Sequence, residues 1–284
     1  MEKYLMQQES LVRMAFFFGM LLLVGIWEVI SPRRKLTIPK LKRWANNLGI
    51  VFFNSFAWKT VFTVTGAGVA AMAAEKGWGV FNNLQMPYIA SLVASIVLMD
   101  MVIYFQHVMV HSVPLFWRLH QVHHADMDYD VTTGARFHTL EIILSMFIKF
   151  AAIVLIGAPV VAVVLFEIIL NATAMFNHGN IHISGSIDRY LRMFIVTPDM
   201  HRVHHSTIAS EANSNFGFNL PWWDRIFGTY KDQPLGGHVN MEIGIHSPRD
   251  ERHCVWISGM LAMPFLGKIT DYAINQAHAQ KENK

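Results

Sequence analysis

Residues 11–30 read LVRMAFFFGMLLLVGIWEVI, an almost unbroken apolar run of about 20 residues. As a helix rising 1.5 Å per residue it is about 30 Å long, the thickness of a bilayer's hydrocarbon core. Few soluble folds can bury such a run, and further ones follow. Hydrophobic residues make up 53% of the chain and charged residues only 15%, against about 25% charged in an average soluble domain. Mean hydropathy is +0.31. These values exclude a disordered chain and, despite a net charge of +3, argue against a nucleic-acid partner. They indicate an integral membrane protein. The single cysteine, Cys254, rules out an internal disulfide or a cysteine-built metal cage.

The first run fits a secretory signal poorly, since no small-residue cleavage pattern follows it. Instead Arg33, Arg34, Lys35, Lys40, Lys42 and Arg43 follow, which places this loop on the cytoplasmic side. A second apolar segment covers about residues 48–74 and a third about 86–106. Residues 141–176 form a hairpin with Gly157-Ala158-Pro159 at its turn. Lys149 and Glu167 lie at equal distances either side of Ala158 and are expected to face each other, because charges at that depth need partners. The expected fold is all-α: one membrane-embedded domain over residues 1–284, with four to five apolar segments. Residues 107–140 and 177–284 form a helical cytoplasmic cap. Residues 255–266 are apolar but too short to cross, so an interfacial or core helix is expected, and the polar residues 276–284 are expected to fray.

Ten of the fifteen histidines fall into four short groups. His107 and His111 close the third segment, and His120, His123 and His124 follow. After the hairpin come His178 and His182, then His201, His204 and His205. On a helix, residues at i, i+3 and i+4 share one face. Each pair can therefore aim two imidazoles at one point, and each His-x-x-His-His triplet three. The same arrangement, pair then triplet, occurs before and after the hairpin. Ten imidazoles are about enough for two metal ions with open positions. Imidazole suits iron, zinc, copper and nickel. A di-iron site would be redox-active, whereas zinc, which the same ligands could hold, would give a membrane lipid hydrolase. A metal transporter would place its ligands in mid-membrane, but these groups sit at the ends of apolar segments.

In this order, between apolar helices, the histidine groups resemble the fatty acid hydroxylase/sterol desaturase superfamily of membrane di-iron enzymes. Thr133-Gly-Ala-Arg136-Phe-His138-Thr-Leu-Glu141, Asn215-Phe-Gly-Phe-Asn219 and Trp222-Trp223-Asp224-Arg225 through Tyr230 are similar to its bacterial sterol-desaturase-like branch. The resemblance spans roughly Ser95 to Tyr230. It implies a multi-pass protein, for a bacterial branch of the inner membrane, with its histidine boxes facing the cytoplasm. It further implies two iron ions (zinc being an alternative as purified) and O2-dependent hydroxylation or desaturation of a membrane lipid, whether sterol-like, fatty acyl or glycerol ether. Carried over residue by residue, it makes the ten grouped histidines the ligands.

Metal-bound imidazoles donate their second N–H to a carboxylate or carbonyl. Asp100, Asp126, Asp128, Glu141, Asp199 and Asp224 are near enough in sequence, with Glu141 and Asp199 preferred; Asn177, Asn180 and His138 are further candidates. The chain has no nucleotide-binding glycine loop and no Cys-x-x-Cys motif. A separate electron donor, a ferredoxin or a cytochrome and its reductase, is therefore expected. Arg189, Arg192, Arg202 and Arg225 could dock it or meet anionic lipid headgroups.

Overall fold

The computed structural model describes residues 2–266. Among them there is no β-strand; extended chain meets only in two isolated bridges, Pro32 with Ile181 and Ser206 with Ile243. Helix α1 runs over Glu2–Ile30, α2 over Lys40–Val61, α3 over Gly66–Glu75 and the short α4 over Val80–Asn83. Helix α5 spans Tyr88–Ser112, α6 Pro114–His124, α7 Thr139–Ile156 and α8 Val160–Asn177. Two shorter helices, α9 (Gly185–Leu191) and α10 (Pro198–His204), belong to the cap. Five segments are long and apolar enough to cross a membrane: Gln7–Ile30, Lys40–Asn83, Tyr88–Ser112, Thr139–Ile156 and Val160–Asn177. The chain is accordingly a multi-pass membrane protein.

The second apolar segment differs from its expected form. It starts earlier, at Lys40, and is broken between α2 and α3. The break falls at Thr63-Val64-Thr65, stiff β-branched residues that favour extended backbone. Thr65 then caps α3, its hydroxyl accepting the Gly68 N–H at 3.2 Å. The hairpin closes as expected: Gly157 ends α7 in the left-handed region at φ 71°, and Pro159 opens α8. A Cβ on Gly79 would lie 2.3 Å from the Gly157 nitrogen, so glycine lets the loop between α3 and α4 touch the turn.

Helix α8 lies at the centre, against α1, α3 and α5, while α7 packs on α3 and α5. Ala67 and Ala70 of α3, Ile103 of α5 and Val163 and Phe166 of α8 share one apolar core. Lys149 and Glu167 do face each other, at 3.4 Å, and Arg13 of α1 joins Glu167 at 2.7 Å. In the cap, the region of residues 255–266 is a core element. Met260 and Met263 bury against Ile50 and Trp117. The polar tail at 276–284 and His278 lie outside the described residues.

Candidate metal centre

Two helix ends bring the first histidines together. His107 and His111 occupy successive turns at the end of α5. The chain turns at Val113, Pro114 opens α6, and α6 returns with His120, His123 and His124. From the second half, His178 caps the C-terminus of α8, α10 carries His201 and His204, and His205 caps α10. Nine rings thereby form two buried groups. One holds His107, His111, His120, His124 and His204; the other holds His123, His178, His201 and His205. Within each group the ligand atoms lie within 4.8 Å of one another. The groups adjoin, since the His124 and His205 rings stack at 4.5 Å.

The ring nitrogens test whether metal ions fit. Nδ1 of His178 donates to the Ala174 carbonyl at 2.7 Å, which leaves a lone pair on Nε2 of the neutral ring. That Nε2 faces Nε2 of both His123 and His205 at 3.1 Å. Nε2 of His111 and His124 are likewise 3.1 Å apart. The Nε2 atoms of His107, His120 and His204 are buried and have no hydrogen-bond partner. Two nitrogens bound to one ion at about 2.1 Å and at right angles would lie about 3.0 Å apart. Converging, unpartnered lone pairs at this spacing fit cations. Burial pushes His178 and His204 down to about 3. Burial, reinforced by neighbouring imidazoles, also holds His123, His124, His201 and His205 well below the ordinary histidine range. All six are neutral at pH 7, the form that binds metal.

His182 is placed differently. It is exposed and belongs to neither group. Its expected role assumed a helix through residues 178–182, but α8 ends at Asn177. The chain beyond is extended, with Ile181 bridged to Pro32 and the His182 N–H donating to the Ser31 carbonyl.

The partners that orient the rings are mainly backbone carbonyls, which side-chain spacing cannot reveal. Phe216 O accepts from Nδ1 of His107 at 2.8 Å, Ser214 O from His204 at 2.7 Å and Arg136 O from His123 at 3.2 Å. One carboxylate takes part: Glu141 accepts from Nδ1 of His120 at 2.6 Å. Asp199 instead pairs with Arg33 and Arg202. His138 caps α7, accepting the Leu140 N–H, and its other nitrogen meets Leu261 O. Asn177 ties its amide to Phe218 O and accepts from Tyr129 through its carbonyl. Asp224, which burial pushes up to about 6, accepts the Phe216 and Gly217 N–H groups at 2.7 and 2.8 Å. It thereby fixes the loop that supplies the Phe216 carbonyl. Asp100 holds Trp223 and Leu220, Asp128 holds the N–H groups of Thr37 and Ile38, and Asn180 holds Arg34.

Contacts that sequence reasoning missed hold the loop after α6, and they take Asp126, a candidate ring partner, to Arg43 instead. Arg43 makes a bidentate pair with Asp126 at 2.9 and 2.7 Å, and also pairs with Asp130. All three are buried. Gly134 packs so closely on α8 that a Cβ would sit 2.3 Å from the Ala174 carbonyl, the acceptor for His178. Phe137 stacks on the His123 ring at 4.4 Å.

A cavity of about 440 Å³ runs from this centre into the helices. Its lining includes His107, His120, Phe137 and Glu141 beside the centre, and Ile103, Arg13 and Lys149, the last eight positions along α7 from Glu141.

Residues 92–229 match the fatty acid hydroxylase family, nearly the Ser95–Tyr230 stretch that carries the resemblance. Over that segment, just under half of its length, the chain is of the fatty acid hydroxylase superfamily. It is 28% identical over 160 residues to an ornithine lipid hydroxylase of Rhizobium tropici, covering 56% of this chain and 47% of the relative. It is 30% identical over 133 residues to human alkylglycerol monooxygenase, covering 45% and 28%. A very-long-chain aldehyde decarbonylase of Oryza sativa is 26% identical over 185 residues, covering 63% and 68%. The matched part spans less than half of the hydroxylase and of the monooxygenase. No solved structure matches.

All nine grouped histidines lie within or beside the family segment, and so does Glu141. An outer carboxylate raises the basicity of its imidazole, and its loss weakens metal binding about 10- to 100-fold. Glu141→Gln is expected to lower metal affinity within that range while leaving the helices intact. Metal titration alongside circular dichroism would check this; unchanged affinity would remove Glu141 from the site.

Proposed function

We propose that the chain is an O2-dependent di-iron enzyme that hydroxylates a membrane lipid, with its metal centre at the cytoplasmic face. The observation that carries this reading is the pair of buried histidine groups at one end of a largely apolar cavity. His107, His111, His120, His124 and His204 would hold one ion and His123, His178, His201 and His205 the other. When bound, the iron pair supplies the oxidising power, drawn from O2 and external electrons, needed to attack an unactivated C–H bond.

The chain's own residues do the remaining work. Carbonyls and Glu141 fix the tautomers of His107, His120, His123, His178 and His204, so these imidazoles present Nε2 inward. The apolar flanks of the cavity hold an alkyl chain against the centre and exclude water. Helix faces open to the bilayer suit entry from the side. Hydroxylation is favoured over desaturation because two of the relatives are a hydroxylase and a monooxygenase. The basic segment from Arg33 to Arg43 supports the cytoplasmic orientation. A separate ferredoxin or cytochrome would deliver electrons.

The test is anaerobic purification with metal analysis, followed by incubation of reconstituted protein with membrane lipids, a reductant and 18O2. About two irons per chain and a lipid product heavier by one 18O atom are expected. Zinc that iron cannot replace, with lipid cleavage and no oxygen uptake, would replace this reading with the hydrolase.

A further inference from the structure

Four charged side chains meet at the end of the cavity remote from the histidines, inside segments that cross the membrane. Arg13 bonds Glu9 at 3.0 Å and Glu167 at 2.7 Å, both through Nη1. Lys149 reaches Glu167 at 3.4 Å. Thr65 donates to the other Glu9 oxygen at 2.9 Å. Charges in a membrane pair with one another, so a purely structural tie among α1, α3, α7 and α8 would be one use of this cluster.

Two features go beyond a tie. The first is exposure. The Glu167 and Glu9 side chains are 2% and 6% exposed, whereas Arg13 is 32% and Lys149 13% exposed. Arg13 and Lys149 line the cavity together with Glu9, whereas Glu167 lies behind them. The second is the count of donors. Each oxygen of Glu9 and Glu167 already accepts a hydrogen bond. Arg13 carries five N–H donors and Lys149 three, and their bonds to these carboxylates leave a surplus. A surplus of donors on two cations, backed by carboxylates, suits an anionic oxygen group.

Resting on the reading that this cavity holds a lipid substrate, we propose that Arg13 and Lys149 bind its anionic head, a carboxylate or a phosphate. They would thereby select which carbon is oxidised. Lys149 lies eight positions after Glu141 on α7, about 12 Å along the axis. With carbon–carbon bonds of about 1.5 Å, that distance spans on the order of eight to ten methylenes. The oxidised position is then internal to the chain, at that remove from the head.

The test measures equilibrium binding to full-length protein in phosphatidylcholine nanodiscs, at a pH where the acid is ionised. The probes are a spin-labelled long-chain fatty acid, its methyl ester and a lysophosphatidic acid of equal chain length. Wild type should bind one of the two anions about 10- to 100-fold more tightly than the ester. Which anion binds more tightly tells carboxylate from phosphate. The preference should fall to within about twofold in the Arg13→Gln/Lys149→Gln protein and survive in Lys149→Arg. Equal binding of acid, lysophosphatidic acid and ester by wild type, or a preference unchanged in the double variant, would overturn the proposal.

A structural tie alone would not discriminate acid from ester. If the double variant fails to fold, Lys149→Gln decides, because Glu167 there keeps Arg13. Its preference must fall at least about threefold, or the anchor is wrong. Metal content read on the same samples separates the two ideas. Charge discrimination without metal would sink the hydroxylase reading and spare the anchor, and metal without discrimination would do the reverse.

Discussion

Alanine at both His124 and His205 is expected to abolish turnover and to strip the protein of most of its metal, while the helices remain folded. The two rings stack at 4.5 Å where the groups adjoin, and each belongs to a different group. Their loss therefore removes one ligand from each ion. Outer partners of a metal ligand are worth about 10- to 100-fold in affinity or activity, so loss of direct ligands at both ions should exceed 100-fold. Folding should survive because these imidazoles converge on the other histidines and belong to none of the apolar core clusters. Trp117 loses the His124 ring at 5.3 Å, but α6 keeps its apolar packing through Trp117 and Val122 against Ile50 and Met260. His182→Ala is the matched control, since that side chain is exposed and outside both groups. It should keep full metal content. Iron per chain by mass spectrometry, with circular dichroism on the same preparations, reads both outcomes. Full metal retention in His124→Ala/His205→Ala would sink the ligand assignment, and loss of metal in His182→Ala would restore a tenth ligand.

How far the sequence was legible follows from what each signal depends on. The long helices announce themselves by apolar length, and the turn at Gly157 by its glycine and proline. The histidine triplet of α6 needs only local helical geometry, so its convergence could be read directly. His178 and His182 share the same spacing on paper, yet α8 ends at Asn177 with His178 as its cap, and His182 lies in the chain beyond. Spacing alone cannot tell whether a helix continues through the second residue. The outer partners were mostly hidden for another reason. Carbonyls of Phe216, Ser214, Ala174 and Arg136 carry no side-chain signature, and their placement depends on loops folded from distant residues. Glu141 was preferred for its nearness in sequence and does meet His120, whereas Asp199, preferred on the same ground, pairs with arginines instead. Arg43 was read as one charge in a basic loop. Only the tertiary structure turns it into the counterion of two buried aspartates.

That buried network carries the second large expectation. Arg43→Met should destabilise the protein by about 3–5 kcal/mol, the usual cost of removing one partner of a buried ion pair. The side chain is 1% exposed, and Asp126 and Asp130 are fully enclosed. Methionine fills much of the volume but leaves both carboxylates without their guanidinium. Burial alone would raise the Asp126 carboxyl, and Arg43 and Arg136 overcome this to hold it at about 2. Without Arg43 that balance is lost, and the loop from Ala125 to Arg136 must move to hydrate its aspartates. This loop follows directly on His123 and His124, and its Arg136 carbonyl orients His123. Loss of metal should therefore accompany loss of stability. Lysine at position 43 keeps the charge but cannot make the bidentate contact to Asp126, so it should fall between the two. Adding Asp126→Asn to Arg43→Met should recover part of the loss, because one of the two buried carboxylates that Arg43 neutralised is then uncharged. Denaturant unfolding in detergent and metal titration of wild type, Arg43→Met, Arg43→Lys, Asp126→Asn and the double variant would measure this coupling. Strictly additive effects of Arg43→Met and Asp126→Asn would show that the pair contributes nothing beyond its separate side chains.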